Sequence, residues 1–155
     1  MDIMYKNDDP EKEKFVNACI YGDVNTVCQM ILYKGIDPSF DNNISIKYAA
    51  WSGEADVVRT LMKDKRVNPA DQDNTFICFA ALFGKLDAVK ELAKDPRVDL
   101  KLGVLSACGG ASNYDDPEPC IEVLEWLISQ DVNVCNPSES FSDRVNGILR
   151  TALNR

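Results

Sequence analysis

AAWSGEADVVRTLMKDKRVNPADQDN, residues 49–74, decides the fold because the chain writes it three times in altered form. Its first half aligns without a gap with ACIYGDVNTVCQMI at 18–31 and AALFGKLDAVKELA at 80–93. Gly22, Gly53 and Gly84 therefore recur every 31 residues. Ala18, Ala49 and Ala80 fall in register, as do Val27, Val58 and Val89, and then Met30, Leu61 and Leu92. The following segments stay in phase: IDPSFDNN, VNPADQDN and VDLKLG. Self-similarity at a fixed period marks a stacked array, whose single unit is too small to bury its own apolar face.

Each unit reads as two helices. The first runs up to the small-residue pair, from Ile44 to Trp51 and from Thr75 to Phe83. Alanines there let a neighbouring helix approach closely. Gly53 sits where the chain must turn and positive φ is cheap. The second helix places Val58, Leu61 and Met62 at i, i+3 and i+4 on one face. The Asp, Asn and Pro of DKRVNPADQDN then end it in a turn.

The fourth unit is irregular. GVLSACGG reads as its first helix, with Ala107 as the small residue, and ASNYDDPEP as an inserted polar loop over roughly 109–119. Cys120, Val123, Trp126 and Leu127 restart the second-helix pattern, and ISQDVNV closes the unit. SDRVNGILRTALNR predicts one more short helix, with Ile148, Leu149, Ala152 and Leu153 apolar, that caps the stack. At the other end, Glu11 to Lys14 supply a polar outer face. The expectation is one all-α domain over 1–155, with units roughly at 12–43, 44–74, 75–102 and 103–135 and a C-terminal cap at 136–155.

Composition narrows the chemistry. Of 155 residues, 17 are Lys or Arg and 25 are Asp or Glu, a net charge of −8 that disfavours nonspecific contact with nucleic acid or an anionic membrane. There is no His, which removes the usual general base, the Ser-His and Cys-His pairs and the commonest metal ligand. Cys19, Cys28, Cys78, Cys108, Cys120 and Cys135 form no C-x-x-C pair, so a thiolate zinc site has no support. The polar N-terminus MDIMYKNDDPEKEK has no apolar signal region, and no run is long enough to span a membrane. Reduced, structural thiols in a cytoplasmic protein are expected. No cofactor and no metal is expected.

The units resemble the ankyrin repeat. Ala49, Ala50, Gly53, Val57, Val58, Leu61, Val67 and Asn68 fill that family's pattern. Ala80, Ala81, Gly84, Val89, Leu92, Val98 and Asp99 fill it again. The resemblance implies an ankyrin-like solenoid of about four helix-turn-helix repeats with a C-terminal capping helix. The 31-residue units with DKRVNPADQDN and DPRVDL turns are similar to ankyrin arrays of amoebae and their giant viruses. The family's Thr-Pro-Leu-His tetrad is replaced by Ile44, Ser45, Ile46 and Lys47, and by Thr75, Phe76, Ile77 and Cys78. The His that braces the family's turn is therefore missing.

In that family the two residues after Ala-Ala and the turn residues point to the concave groove where partners bind. Carried over, these are Ile20 and Tyr21, Trp51 and Ser52, Leu82 and Phe83, with Phe40, Asp41, Asn43, Asp71, Gln72 and Asn74 from the turns. Tyr21, Trp51 and Phe83 would form an aromatic row of binding anchors; the competing reading packs these rings between units. Tyr114, between the inserted loop's residues and Asp115-Asp116, is either a peripheral anchor or part of a tolerated insertion. Asp71-x-Asp73-Asn74 starts like a calcium loop, but Phe76 and Leu82 stand where that loop needs Gly and Glu. Cys78 takes the place of the family's His and reads as a packed thiol.

The expected function is a non-catalytic protein–protein interaction module, an adaptor or inhibitor whose partner carries a basic patch, with a host protein as the target if the viral resemblance holds. The alternative is an acidic mimic of nucleic acid that blocks a DNA- or RNA-binding protein. An enzyme built on Asp, Glu, Lys and Cys alone is the third class, and no spacing supports it.

Overall fold

Asp9 sets the start of the first helix: its carboxylate accepts from the backbone N–H groups of Glu11 and Lys12, and Pro10 fits the first turn. The computed structural model describes residues 4–132 and 134–154, and those residues form helices and connections with no strand. The helices are α1 (Pro10–Ile20), α2 (Val24–Lys34), α3 (Phe40–Ser52), α4 (Ala55–Leu61), α5 (Asp71–Leu82), α6 (Leu86–Leu92), α7 (Leu100–Asn113), α8 (Glu118–Ser129) and α9 (Asp143–Leu153).

Helices α1, α3, α5 and α7 lie side by side in one row, and α2, α4, α6 and α8 in a second. Each member of the first row also packs on the next helix of the chain. Ala49, Ala50, Ala80 and Ala81 are fully buried, so the first row closes on small side chains. Val57, Val58 and Leu61 of α4 and Ala88, Val89 and Leu92 of α6 are fully buried between the rows. One continuous apolar cluster runs from Phe15 to Leu149. Gly53 turns the chain between α3 and α4 at φ 90°. Gly84, at φ 66°, lies so close to α8 that a Cβ there would stand 2.4 Å from the Pro119 Cβ.

The starts of α3 and α5 share an uncommon backbone. Asp41, Asn42 and Asn43 have φ of 49, 56 and 60°, and Gln72, Asp73 and Asn74 have φ of 51, 55 and 62°. Left-handed residues cost roughly 1–2 kcal/mol each, least for Asn and Asp, whose side chains bond locally. Regular helix therefore resumes at Ile44 and Thr75, where the sequence spacing puts the helix starts. The turns after α4 and α6 repeat as faithfully. The Arg66 N–H donates to Asp64 Oδ1 at 3.0 Å and the Arg97 N–H to Asp95 Oδ1 at 2.9 Å, with each guanidinium folded back onto the same carboxylate.

The expected inserted loop is largely helix. Asp99 caps α7 by accepting from the Lys101 N–H at 3.0 Å, and the helix continues through Ala111 and Ser112 to Asn113. Ala111 is buried, and the Asn113 amide donates to the Gly109 carbonyl at 2.7 Å, which carries the last turn past the point where ASN reads as a loop. The connection to α8 shrinks to residues 114–117. Pro119 falls in the first turn of α8, so DPEP is a helix start. Helix α9 packs on α7 and α8 with Val145, Asn146 and Leu149 inward. Of the residues expected to be apolar contacts there, Leu149 is buried, Ile148 and Ala152 are half-buried, and Leu153 is exposed. Asn133, within the segment expected to close the fourth unit, lies outside the described residues, as do Met1 to Ile3 and Arg155.

Candidate interaction surface

Rings from three helices make one row. Tyr48 and Trp51 of α3 stack at 5.7 Å between centroids. Trp51 meets Phe79 of α5 at 6.3 Å and Phe83, the residue that closes α5, at 5.9 Å. Phe83 stacks on Tyr114, the residue that closes α7, again at 5.9 Å. Tyr5 extends the row at the other end, edge-on to Tyr48 at 5.9 Å. The row stays partly open to solvent: Tyr48, Trp51, Phe79 and Phe83 are half-buried and Tyr114 is 42% exposed. The Lys47 ammonium lies 5.8 Å from the centre of the Phe79 ring, within cation–π range.

Helix geometry explains the row. Tyr48 and Trp51 are three apart and Phe79 and Phe83 four apart, so each pair shares a helix face. Tyr48 and Phe79 are 31 residues apart, as are Phe83 and Tyr114, so the period repeats that face on the next helix. One period before Tyr48 stands Asn17, whose side chain clasps the backbone of Tyr5, accepting from its N–H at 2.9 Å and donating to its carbonyl at 3.0 Å. That clasp brings the N-terminal segment onto the row.

The turn residues do internal work as well. Asn43 is buried; its amide donates to Asp71 Oδ2 at 2.7 Å and accepts from the Asn68 N–H at 3.0 Å. Asn74, one period on, accepts from the Asp99 N–H at 2.8 Å. Gln72 donates from its side chain to the Asn42 carbonyl at 2.8 Å. Asparagines thus brace the turns in a chain that has no histidine. Asp41 is exposed and accepts from the Tyr5 hydroxyl at 3.4 Å.

The expected site residues therefore divide. Trp51, Phe83 and Tyr114 come together in the row, with Ser52 and Leu82 half-buried beside Trp51 and Phe83 in sequence. Asp41, Asp71 and Gln72 line the turns. Asn43 is a correction: its side chain is buried between two turns and unavailable to a partner. Phe40 points to α1, 6.3 Å from Phe15 with the Lys12 ammonium 5.3 Å from its ring centre. Ile20 is buried, and Tyr21, which closes α1, is 56% exposed. The sequence reading missed Tyr5, Lys47, Tyr48 and Phe79. For Tyr48 and Phe79 the signal was present, as aromatics one period apart.

The reactive groups elsewhere are quiet. Burial pushes the Cys19 and Cys120 thiols up, and it pushes Cys108 up to about 12, with Cys135 adding to the shift. Such thiols stay protonated near neutrality. Cys78 is half-buried within α5. Glu91 is buried on α6, and the Arg59 guanidinium at 2.7 Å, then Lys94 at 2.7 Å, hold its carboxyl below the usual range. Among the described residues, no group of three or more carboxylate or thiol side chains is placed to hold a metal ion. Nor is any helix among them long and apolar enough to cross a membrane.

No family model, no curated protein and no solved structure matches the chain.

Proposed function

We propose that this chain is a non-catalytic interaction module: an ankyrin-like solenoid that holds a partner protein against its aromatic row. The observation that carries the reading is the run Tyr48, Trp51, Phe83 and Tyr114, unbroken across α3, α5 and α7 and half open to solvent. Large rings held rigid by their neighbours lose little entropy on binding and bury much area, which is how a few residues come to dominate an interface. Asp41, Asp71, Gln72 and Asp73 on the turns supply a polar rim. The net charge of −8 favours a partner with a basic patch and speeds its approach. The role is that of an adaptor or an inhibitor covering the partner's surface, in the cytoplasm, with the thiols reduced.

Affinity capture with the wild-type chain and a Trp51→Ala, Phe83→Ala double variant tests this. A partner that binds the wild type and loses about tenfold or more in affinity for the variant supports the row as the site. Salt then separates this reading from mimicry of nucleic acid. A shallow decline in affinity with salt fits aromatic anchoring, whereas a steep decline that ignores the double variant fits the mimic.

A further inference from the structure

One end of the aromatic row is already occupied by the chain itself. Residues 4–8 precede α1 outside any helix, and the Tyr5 ring lies edge-on to Tyr48 at 5.9 Å between centroids. The Tyr5 N–H and carbonyl both go to one side chain, the Asn17 amide, at 2.9 and 3.0 Å. A residue inside a helix has spent both groups on its own ladder, so this clasp reads extended chain. Asn17 stands where α3 and α5 carry the rings of Tyr48 and Phe79. At the place where later units offer a ring, the first unit offers a device that holds backbone.

The side chains around the clasp add a pattern. The Tyr5 hydroxyl donates to Asp41 Oδ2 at 3.4 Å and accepts from the Asn7 amide at 2.7 Å. The Lys6 ammonium lies 3.7 Å from Glu13 Oε1, and Glu13 Oε2 accepts from the Asn7 N–H at 3.1 Å. A ring therefore meets Tyr48, and the residue after it meets a carboxylate. Yet the hold is light. None of residues 4–9 is buried, the Lys6 side chain is 76% exposed, and the apolar cluster begins only at Phe15. Lifting the segment uncovers little apolar surface, which puts it among the parts of a fold that open most readily.

We propose that residues 4–8 are a strap seated in a peptide site at the α1–α3 end of the row, and that an extended segment of the partner protein, an aromatic residue followed by Lys or Arg, displaces the strap and takes the Asn17 clasp. The inference rests on the row being an interaction surface, and it adds the conformation and chemistry of what binds there. Glu13 and Asp41 put negative charge beside the clasp, in keeping with a basic partner.

The probe is a synthetic peptide of residues 4–9, acetylated and amidated, titrated into the isotope-labelled full chain. The readout is the nuclear magnetic resonance signal of the Asn17 side-chain amide, which reports the clasp. Tyr5→Pro removes both the ring and the N–H and lies outside the core, so that chain folds with its site vacated. Its Asn17 signal is expected to return saturably to the wild-type position as peptide is added, with half-saturation on the order of 1 mM, the scale on which a short tether presents its segment. The wild type should need about tenfold more peptide, because its own strap competes. Tyr5→Ala in the peptide should weaken binding about tenfold, and Lys6→Glu in the peptide about threefold. An Asn17 signal that the peptide leaves unmoved, equal half-saturation for the wild type and the Tyr5→Pro chain, or undiminished binding of the Tyr5→Ala peptide overturns the proposal. So does a dimer in sedimentation that Tyr5→Pro abolishes, since the site would then seat the segment of a second copy. Because Tyr5 rests on Tyr48 and Asn17, adding Trp51→Ala and Phe83→Ala to the Tyr5→Pro chain should leave peptide binding within about twofold. A captured partner that ignores those two substitutions therefore counts against the row reading alone, and a failed titration against the strap alone.

Discussion

Two buried asparagines tie the middle of the chain and its end in opposite ways. Asn43 reaches forward to Asn68 and Asp71, so its bonds join one turn to the next. Asn146, on α9, accepts from the Ser138 N–H at 3.0 Å and donates to the carbonyls of Ser138 and Phe141 at 2.9 and 3.2 Å. Those bonds close a loop onto the helix that follows it and go no further. The same side chain with the same burial thus transmits order in one place and confines it in the other. The backbone follows suit: residues 41–43 and 72–74 are left-handed runs, whereas α7 begins directly from its Asp99 cap.

The widest gap between the regions should come from overpacking. Ala49 is fully buried in α3, and Ala49→Leu is expected to cost about 3 kcal/mol, because a packed row has no room for three more carbons. Ala152 is half-buried beside an open hollow, and Ala152→Leu should change stability by less than about 0.5 kcal/mol. Urea titration reads both. Equal losses would mean that the end is packed as tightly as the middle and would erase the contrast.

Asparagine deletion sharpens it. Asn43→Ala removes a bond to a carboxylate and one to a backbone N–H, at a cost of about 2 kcal/mol. Hydrogen exchange should quicken both at 40–45 and at 67–72. Asn146→Ala should quicken exchange at 138–142 and leave 40–72 as it was. Spread of the second effect into the middle would break the distinction.

The smallest effect is in acid. Glu91 in the middle and Glu118 at the end both have carboxyls held low, by Arg59 and by Arg144 respectively. A depressed carboxyl adds stability above its unfolded value, about 4.3 for Glu, and that stability is lost as pH falls through the folded value. Glu91 is buried and Glu118 exposed, so water screens the second pair. Glu91→Gln should therefore flatten the fall in thermal midpoint below about pH 4, and Glu118→Gln should leave it nearly intact. A larger response from Glu118→Gln would reverse the assignment of the tighter pair.

The period was legible because it is carried by residues with one physical meaning each: alanines at a close approach, a glycine at a turn, Val and Leu on a buried face. The all-helical outcome and the resumption of helix at Ile44 and Thr75 follow from them. Trp51 and Phe83 were legible as rings following the alanine pairs of successive units, whereas Tyr114 was read only within an insertion, not as the residue one period after Phe83. Asn43 was misread because a turn asparagine looks alike whether it faces solvent or the next turn. Asp, Asn and Gln signal a turn without signalling three left-handed residues in succession. The length of α7 was hidden for another reason: ASN is turn composition, yet Ala111 is buried and holds that segment in the helix. Tyr5 was beyond reach, since only the Asn17 side chain, twelve residues on, places it.

The aromatic row has an optical consequence. The chain has two tryptophans, one in each region: Trp51 amid Tyr48, Phe79 and Phe83, and Trp126 on α8, half-buried against the core. Excitation absorbed by Tyr48 lies within a ring's width of Trp51 and passes to it, so Trp51 emission is fed by its neighbours. Any molecule that covers the row must change the polarity around that indole and shift the emitted colour. With Trp126→Phe the protein becomes its own lamp for the row, and with Trp51→Phe for the α8 end, with no label attached.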